Sequence, residues 1–220
     1  MYKKIINCRV CKHRELIEIL DLGKQPLANA LIKNKKNFKN EKKIPLELII
    51  CKKCKLIQLK HTVDPKILFR NYLWVTGTSK KVKKYRKFFF NKIKKFFRRS
   101  NNFILEVASN DGFFLKYINK KNETLGVDPA KNLAKLAHSK GIQTLPVFFN
   151  FKTSNKIIKL KKKKPNIIIC RNVIPHIENI DQVMKGIRNL LSTDGVGVIE
   201  FHNASNLIDR KHYDYIYHEH

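Results

Sequence analysis

The chain has 220 residues, enough for a small module beside one ordinary domain, and its 47 lysines and arginines against 17 acidic residues give a formal net charge of +30. No apolar run is long enough to cross a membrane, and the opening MYKKIINC lacks the apolar stretch of a secretory leader. A membrane-spanning protein and a secreted disulfide scaffold are therefore not expected; the cysteines are expected as thiolates and the compartment as cytoplasmic.

The first signal along the chain is a pair of CxxC knuckles, Cys8 with Cys11 and Cys51 with Cys54. Four thiolates suit a closed tetrahedral zinc site, and paired knuckles are far more specific than a lone CxxC, which could equally be a redox pair. The long spacing between the pairs requires an insertion, and the metal then stands in for a core that so small a module cannot build from apolar side chains. Both knuckles continue with lysine, Lys12 and Lys55, where many zinc knuckles carry glycine. Residues 46–50 and 56–59 flank the second knuckle and read as a hairpin.

Residues 79–99 read as a basic amphipathic helix, with Val82, Tyr85, Phe89, Ile93 and Phe96 at three- and four-residue steps. It is expected to connect modules and pack on the next domain rather than lie on a membrane. From residue 103 strands and helices alternate. Strands are expected at 103–108, 124–127, 143–147, 166–170 and 195–201, and helices at 112–119, 132–139, from about 154, and at 180–191. Such repeats predict a parallel sheet covered on both faces with right-handed crossovers. The lysine run 161–164 before Pro165 reads as a solvated helix end. Lysine is spread over the whole chain together with Asn, Ile and Phe, as AT-rich codon usage produces. The charge is read as compositional drift in preference to a nucleic-acid footprint, and an anionic substrate fits both.

In an open parallel sheet, ligands bind beyond the carboxyl ends of the strands. Three segments fall there. EVASNDG, from Glu106 to Gly112, ends the first strand with small residues that admit a ligand close to the backbone, Ala108 and Ser109, and a glycine to open the helix. Asp128 ends the second strand, where a carboxylate can accept hydrogen bonds from ribose hydroxyls; with Pro129 after it, a helix-capping role is equally natural. Asn172 follows the fourth strand. The dinucleotide fingerprint GxGxxG is absent, and an acidic residue opening the turn is more typical of S-adenosylmethionine sites, so a methyltransferase sheet is preferred.

The ordered segments CRVC, DLGKQPLAN, CKKCKLIQL, LFRNYLWVTGTS, LEVASNDGFFLK, GVDPAKNLA, RNVIPHI, LLSTDGVGVIEFH and YDYIYHEH resemble the sugar C-methyltransferases that act on nucleotide-linked 4-keto-deoxysugars. This is a branch of the class I S-adenosylmethionine-dependent methyltransferases with an N-terminal zinc-binding domain. The resemblance covers nearly the whole chain. It implies a zinc-binding, β-rich domain over 1–75, a connecting helix over 76–100 and a Rossmann-like α/β S-adenosylmethionine-binding domain over 101–220. Structural Zn2+ would sit on Cys8, Cys11, Cys51 and Cys54. S-adenosylmethionine would be lined by Glu106, Ser109, Asn110, Gly112, Asp128 and Asn172, with Phe148 and Phe149 either flanking the adenine or serving as core aromatics. Tyr72, His176, Tyr217, Glu219 and His220 would surround the sugar.

The implied chemistry needs such residue types, because carbon is a poor nucleophile until a base removes the proton beside the ketone and the enolate is stabilised. His220 is the candidate base, Glu219 its orienter or a substrate ligand, and His176 and Tyr217 the candidate enolate stabilisers. Five strand signals stand where the class I sheet usually has seven, and family members continue beyond YHEH, so the chain reads as truncated at its C-terminus. The alternatives are a class I methyltransferase for another small acidic molecule, a zinc-containing basic nucleic-acid-binding protein, and a remnant that binds cofactor only. A small-molecule nucleotide-sugar is the expected partner, a membrane is not, and the oligomeric state is left open.

Overall fold

The computed structural model describes residues 1–32, 34–97 and 100–219; the candidate base His220 therefore lies outside the described residues. The chain forms two compact units. One comprises Met1–Leu68, Pro175–Ile180 and the segment from His202 on, and the other Phe69–Ile174 with Asp181–Phe201.

The first unit is β-rich. Its strands are β1 (Tyr2–Lys4), β2 (Leu16–Pro26), β3 (Lys43–Cys51), β4 (Ile57–Leu59) and β5 (His61–Val63). The antiparallel order β2-β3-β4 makes one sheet and β1-β5 a second, two-stranded one. The hairpin expected around the second knuckle is β3–β4, with Leu48 opposite Leu59 and Ile50 opposite Ile57. β3 buries Ile44, Leu46, Ile49 and Cys51, whereas β2 is largely exposed and shifts register between Glu18 and Leu20 and again between Asp21 and Lys24. Among the described residues, the buried apolar side chains of this unit are Ile44, Leu46, Ile49, Leu59 and Val63, beside Cys8 and Cys51. So small a core leaves much of the stability to be supplied by something else. Helix α1 (Pro65–Phe69) follows β5.

The first long helix of the second unit is α2 (Lys80–Ile93), capped by Ser79, whose hydroxyl accepts the Val82 N–H at 3.4 Å. Its helical turns continue as a short 3-10 segment, Lys94–Phe96. Of the stepped residues Phe89 and Ile93 are buried, Val82 and Phe96 partly so and Tyr85 exposed; with Phe90, which the steps did not include, Phe89 and Ile93 join a core with Ile104, Phe114, Leu115, Ile142, Ile167 and Ile169. β6 (Phe103–Val107), α3 (Leu115–Ile118), β7 (Glu123–Val127), α4 (Lys131–Ser139), β8 (Thr144–Leu145), α5 (Phe151–Lys161), β9 (Ile167–Arg171), α6 (Ile180–Leu190) and β10 (Val196–Glu200) then alternate, and α7 (Ala204–Asp209) follows in the first unit.

All neighbours in the five-stranded sheet, ordered β10-β9-β6-β7-β8, are parallel. β6 is buried at every position and β9 at all but Arg171, which explains their apolar runs, broken in β6 by Glu106. Two helices differ from the sequence reading for local reasons. α3 begins three residues late because Ala108, Asn110 and Gly112 all take left-handed backbone (φ 56°, 54° and 69°), so residues 108–112 form a turn rather than a helix start. α5 begins early because Asn150 caps it, its side-chain oxygen accepting the Thr153 N–H at 2.9 Å. α5 ends at Lys162, in left-handed backbone, inside the lysine run.

Candidate functional site

The four knuckle cysteines come together. Their sulfurs all lie within 4.8 Å of one another, with Cys8 to Cys54 at 3.6 Å and Cys11 to Cys51 at 3.5 Å. Zn–S bonds of about 2.3 Å put tetrahedral sulfurs about 3.8 Å apart, so the donor set fits zinc in both chemistry and spacing. The two knuckles are twins. Lys12 N–H donates to Cys8 O at 3.1 Å and Lys55 N–H to Cys51 O at 3.0 Å, and both lysines have φ of 61°. The positions where glycine is common are thus left-handed here, and lysine occupies them against its own preference. Burial opposes ionisation of Cys8, but hydrogen bonds from Cys11, Gln58, Val10 and Cys54 more than offset it and bring the thiol down to about 6. The Leu56 backbone pulls the Cys54 thiol down, but burial and the Cys11, Cys8 and Cys51 sulfurs push it up to about 12, so the cluster shares protons that a metal would displace.

In the second unit, the carboxyl ends of β6, β7 and β9 carry most of the residues expected to hold a cofactor. Ser109 and Asn110 are buried in the turn after β6, and Asp128, at 5% exposure, closes β7. Asn110 N–H donates to Asp128 Oδ2 at 2.8 Å and Ala130 N–H to Oδ1 at 2.9 Å, so Asp128 is at once the partner of the turn and the cap of the segment leading into α4. Burial raises the Asp128 carboxyl, and those two N–H groups pull it back. Ser109 Oγ is buried without a hydrogen-bond partner among the described residues. Beneath it is Gly126, where a Cβ would collide with the Ser109 and Thr144 hydroxyls; Gly112 likewise lies 3.0 Å, at a built Cβ, from Ile142. A small-residue turn, an orphaned hydroxyl and a carboxylate at the end of the adjoining strand together fit a nucleoside cofactor.

Asn172, with φ of 47°, follows β9; its N–H donates to Glu200 O at 2.8 Å and its Nδ2 to Glu200 Oε1 at 3.1 Å. Phe149 is buried and packs against Gly186 of α6, a core placement, while Phe148 is half-buried with the Arg70 guanidinium 5.8 Å from its ring. Glu106 is wholly buried. Its Oε1 accepts Arg171 Nε at 2.9 Å and Nη2 at 2.7 Å, while Oε2 has no partner among the described residues. Burial pushes the Glu106 carboxyl up, against the pull of Arg171. A cavity of about 340 Å3 lies elsewhere in this unit, beside the amino ends of β6 and β7 among Phe90, Lys94, Phe97, Tyr117 and Lys121, and contains none of these groups.

Of the residues expected around an acceptor, His176, Tyr217 and Glu219 belong to the first unit and Tyr72 to the second. His176 Nδ1 lies 2.7 Å from Glu219 O. A carbonyl only accepts, so Nδ1 carries a proton there and Nε2 is the basic nitrogen of the neutral ring. Glu219 is 4% exposed, and its Oε1 accepts Asn29 Nδ2 at 2.5 Å. Burial, with Glu219 and Tyr215 adding to it, pushes the Tyr217 hydroxyl up to about 12. The neighbouring His218 is buried with Nε2 3.0 Å from Ile44 O, which makes it part of the β3 packing. Asn29 was missed by the sequence reading. Its segment, PLAN, carried no charge, no periodicity and no metal-ligand spacing; only its place in the resemblance pointed to it.

Comparison with known proteins agrees with this architecture. Residues 8–69 match a family described as "Putative zinc binding domain", and residues 81–220 match one described as "Methyltransferase domain". The chain is 28% identical over 220 residues to the C-methyltransferase NovU of Streptomyces niveus, covering 99% of this chain and 52% of that protein; it spans about half the length of this curated relative. Among solved structures, the PH0226 protein of Pyrococcus horikoshii OT3 superposes with a TM-score of 0.51 at 16% identity, over 69% of each chain. An S-adenosylmethionine-dependent methyltransferase of Clostridium acetobutylicum ATCC 824 gives 0.44 at 21% identity, over 57% of this chain and 52% of that one. The first of these likenesses supports the α/β fold. Because the second family spans more than half of the sequence and coincides with the parallel sheet, the chain belongs to the methyltransferase domain family.

Proposed function

We propose that this chain is an S-adenosylmethionine-dependent C-methyltransferase whose acceptor is the carbon beside the ketone of a nucleotide-linked keto-deoxysugar. The observation that carries the cofactor half is the 2.8 Å contact between the turn after β6 and Asp128, which brings the small-residue bend and the ribose-type carboxylate to one end of the sheet. When bound, the cofactor supplies an electrophilic methyl group. The residues of this chain do the rest. Asp128 accepts from the ribose hydroxyls, Ser109 supplies its unpaired hydroxyl, and the turn lets backbone approach the nucleoside.

On the acceptor side, removal of the proton beside the ketone generates an enolate, and a positioned base contributes ~10²–10⁴-fold to such a step. His220 is the proposed base with Glu219 as its orienter; His176 and Tyr217 stabilise the enolate oxygen, Tyr72 assists in holding the sugar, and Asn29 fixes the Glu219 carboxylate. The identity with NovU supports the C-methylation reading.

Calorimetric titration of the zinc-loaded chain with S-adenosylmethionine tests the first half. Asp128→Ala is expected to weaken binding about 100-fold, equivalent to about 2.7 kcal/mol. A panel of keto-deoxysugar nucleotides, scored for methyl incorporation at carbon, tests the second. Saturable cofactor binding with no transfer to any keto-sugar nucleotide would discard the substrate assignment and keep the cofactor site.

A further inference from the structure

Residues 72–75 run without regular structure across the cofactor end of the second unit, between a bend at 70–71 and the 3-10 turn Thr76–Thr78, and two asparagine side chains hold the 70–76 segment there. Lys131 N–H donates to Arg70 O at 3.2 Å. Asn132 grips both polar groups of Tyr72: its Oδ1 accepts the Tyr72 N–H at 3.1 Å and its Nδ2 donates to Tyr72 O at 2.7 Å. Asn110 repeats the device two residues on, its Nδ2 donating to Trp74 O at 3.0 Å and its Oδ1 accepting the Thr76 N–H at 2.9 Å. Bonds at every second residue are the pattern of a strand, made here by side-chain amides in place of a neighbouring backbone. The segment ends on Gly77, where a Cβ would stand 2.6 Å from Asp111 Oδ2 and 3.1 Å from the Phe113 ring, so the backbone rests directly on the turn after β6.

The two asparagines are not incidental to the site. Asn110 is the residue whose N–H donates to Asp128, and Asn132 lies two residues beyond Ala130, whose N–H donates to the other oxygen of that carboxylate. The strap is thus pegged to the two loops that flank Asp128. It buries little of its own surface: Leu73 is 50% and Trp74 57% exposed. A segment with so little apolar burial leans on those bonds for its order, and a segment of low local stability responds strongly to what stiffens its anchors.

We propose that Asn110 and Asn132 are positioning residues that couple the order of the 70–76 strap to occupancy of the nucleoside cofactor site. This rests on the cofactor reading above and extends it to regulation of the same site. A ligand that fixes the turn and Asp128 fixes both pegs, so the strap tightens on binding, and by reciprocity a released strap weakens binding. Trp74 is the sole tryptophan of the chain and serves as a built-in reporter.

The test uses the full zinc-loaded chain and S-adenosylhomocysteine as probe. On binding, hydrogen exchange at the Tyr72 and Thr76 amides should slow, and Trp74 emission should change with the same Kd as calorimetry reports. Asn132→Ala should bind roughly tenfold more weakly, as expected for losing two hydrogen bonds, and lose the Trp74 response. Asn132→Asp, which keeps the acceptor and loses the donor, should fall between. Lys135→Ala, on the exposed side of α4, should match the parent. If the parent binds the probe while amide exchange and Trp74 emission stay unchanged, the coupling is overturned and the cofactor reading stands. If Asn132→Ala binds as tightly as the parent with the full emission change, the positioning role is overturned. Absence of binding to the parent overturns both. Should Asn132→Ala misfold, the exchange measurement on the parent alone decides.

Discussion

The two units solve the stability problem by different means. The α/β unit encloses a continuous apolar core in which Ile104, Leu105, Phe114, Leu115, Leu125, Leu133, Ile142, Ile157 and Ile167 are almost wholly buried. At roughly 25 cal/mol per Å2 of apolar surface removed from water, such a core sustains a fold unaided. The β-rich unit buries few large apolar side chains and gathers four sulfurs instead. The lesson is that one chain holds a unit whose fold is set by area and another whose fold is set by coordination, and the two should fail under different insults.

The largest contrast comes from taking the metal away. Structural zinc contributes about 10–16 kcal/mol in zinc-finger peptides near pH 7. Cys51→Ser, or chelation, should therefore abolish cooperative folding of the β-rich unit while the parallel sheet stays folded. Residue-resolved hydrogen exchange would show protection lost in β3 and β4 and kept in β6 and β9; protection retained in β3 would break the comparison.

Mild acid should sharpen it next. The four knuckle sulfurs bind zinc only after losing their protons, so acid competes with the metal and the stability it supplies is lost as pH falls. Glu106 and Asp128 have the opposite sign. Burial raises both carboxyls, so the stability tied to their protonated forms is present below the ordinary carboxylate range and lost as pH rises through their folded values. Between pH 7 and 5 the β-rich unit should release metal and loosen while the α/β unit holds. Zinc-dye release alongside near-ultraviolet dichroism of Trp74 would follow the two separately.

A smaller effect, confined to the sheet, is expected from Gly126→Ala. Its methyl would meet the Ser109 and Thr144 hydroxyls, and overpacking of this kind costs about 1–3 kcal/mol. Thermal melts should show it in the α/β unit only. The smallest runs the other way. Lys12→Gly removes a left-handed lysine from the first knuckle and should stabilise the β-rich unit by about 1 kcal/mol, with Lys55→Gly equivalent. Zinc affinity measured by competition would register the gain.

Much of the fold was legible because it is written in local periodicity. The runs FILEV and IIICR read as buried strands, and the stepped residues Phe89 and Ile93 of α2 and Val183, Ile187 and Leu190 of α6 are buried as expected, although Tyr85 is exposed. The metal site was legible because paired CxxC spacing is itself a chemical statement. The lysines after each knuckle read in sequence as a departure, and in the structure they keep the backbone geometry that glycine would have supplied.

What was not legible depends on contacts between distant residues that leave no local trace. Nothing in PLAN announces that Asn29 meets Glu219, and nothing in the opening of α4 announces that Asn132 holds Tyr72. The late start of α3 was hidden for a related reason: the turn after β6 trades helix-forming dihedrals for left-handed ones, and propensity is blind to that exchange.

The buried Glu106–Arg171 pair has one further bearing. Glu106 stands opposite Ile169 in the β6–β9 register, and Arg171, two residues on, reaches back to it with its guanidinium 3.2 Å from the Phe114 ring centroid. A slip of one residue between these strands would send one charge to the opposite face and strand the other in hydrocarbon. The ion pair thus acts as a proofreader of alignment at the middle of the sheet, penalising misthreaded pairings that the repeated isoleucines of β9 would otherwise tolerate.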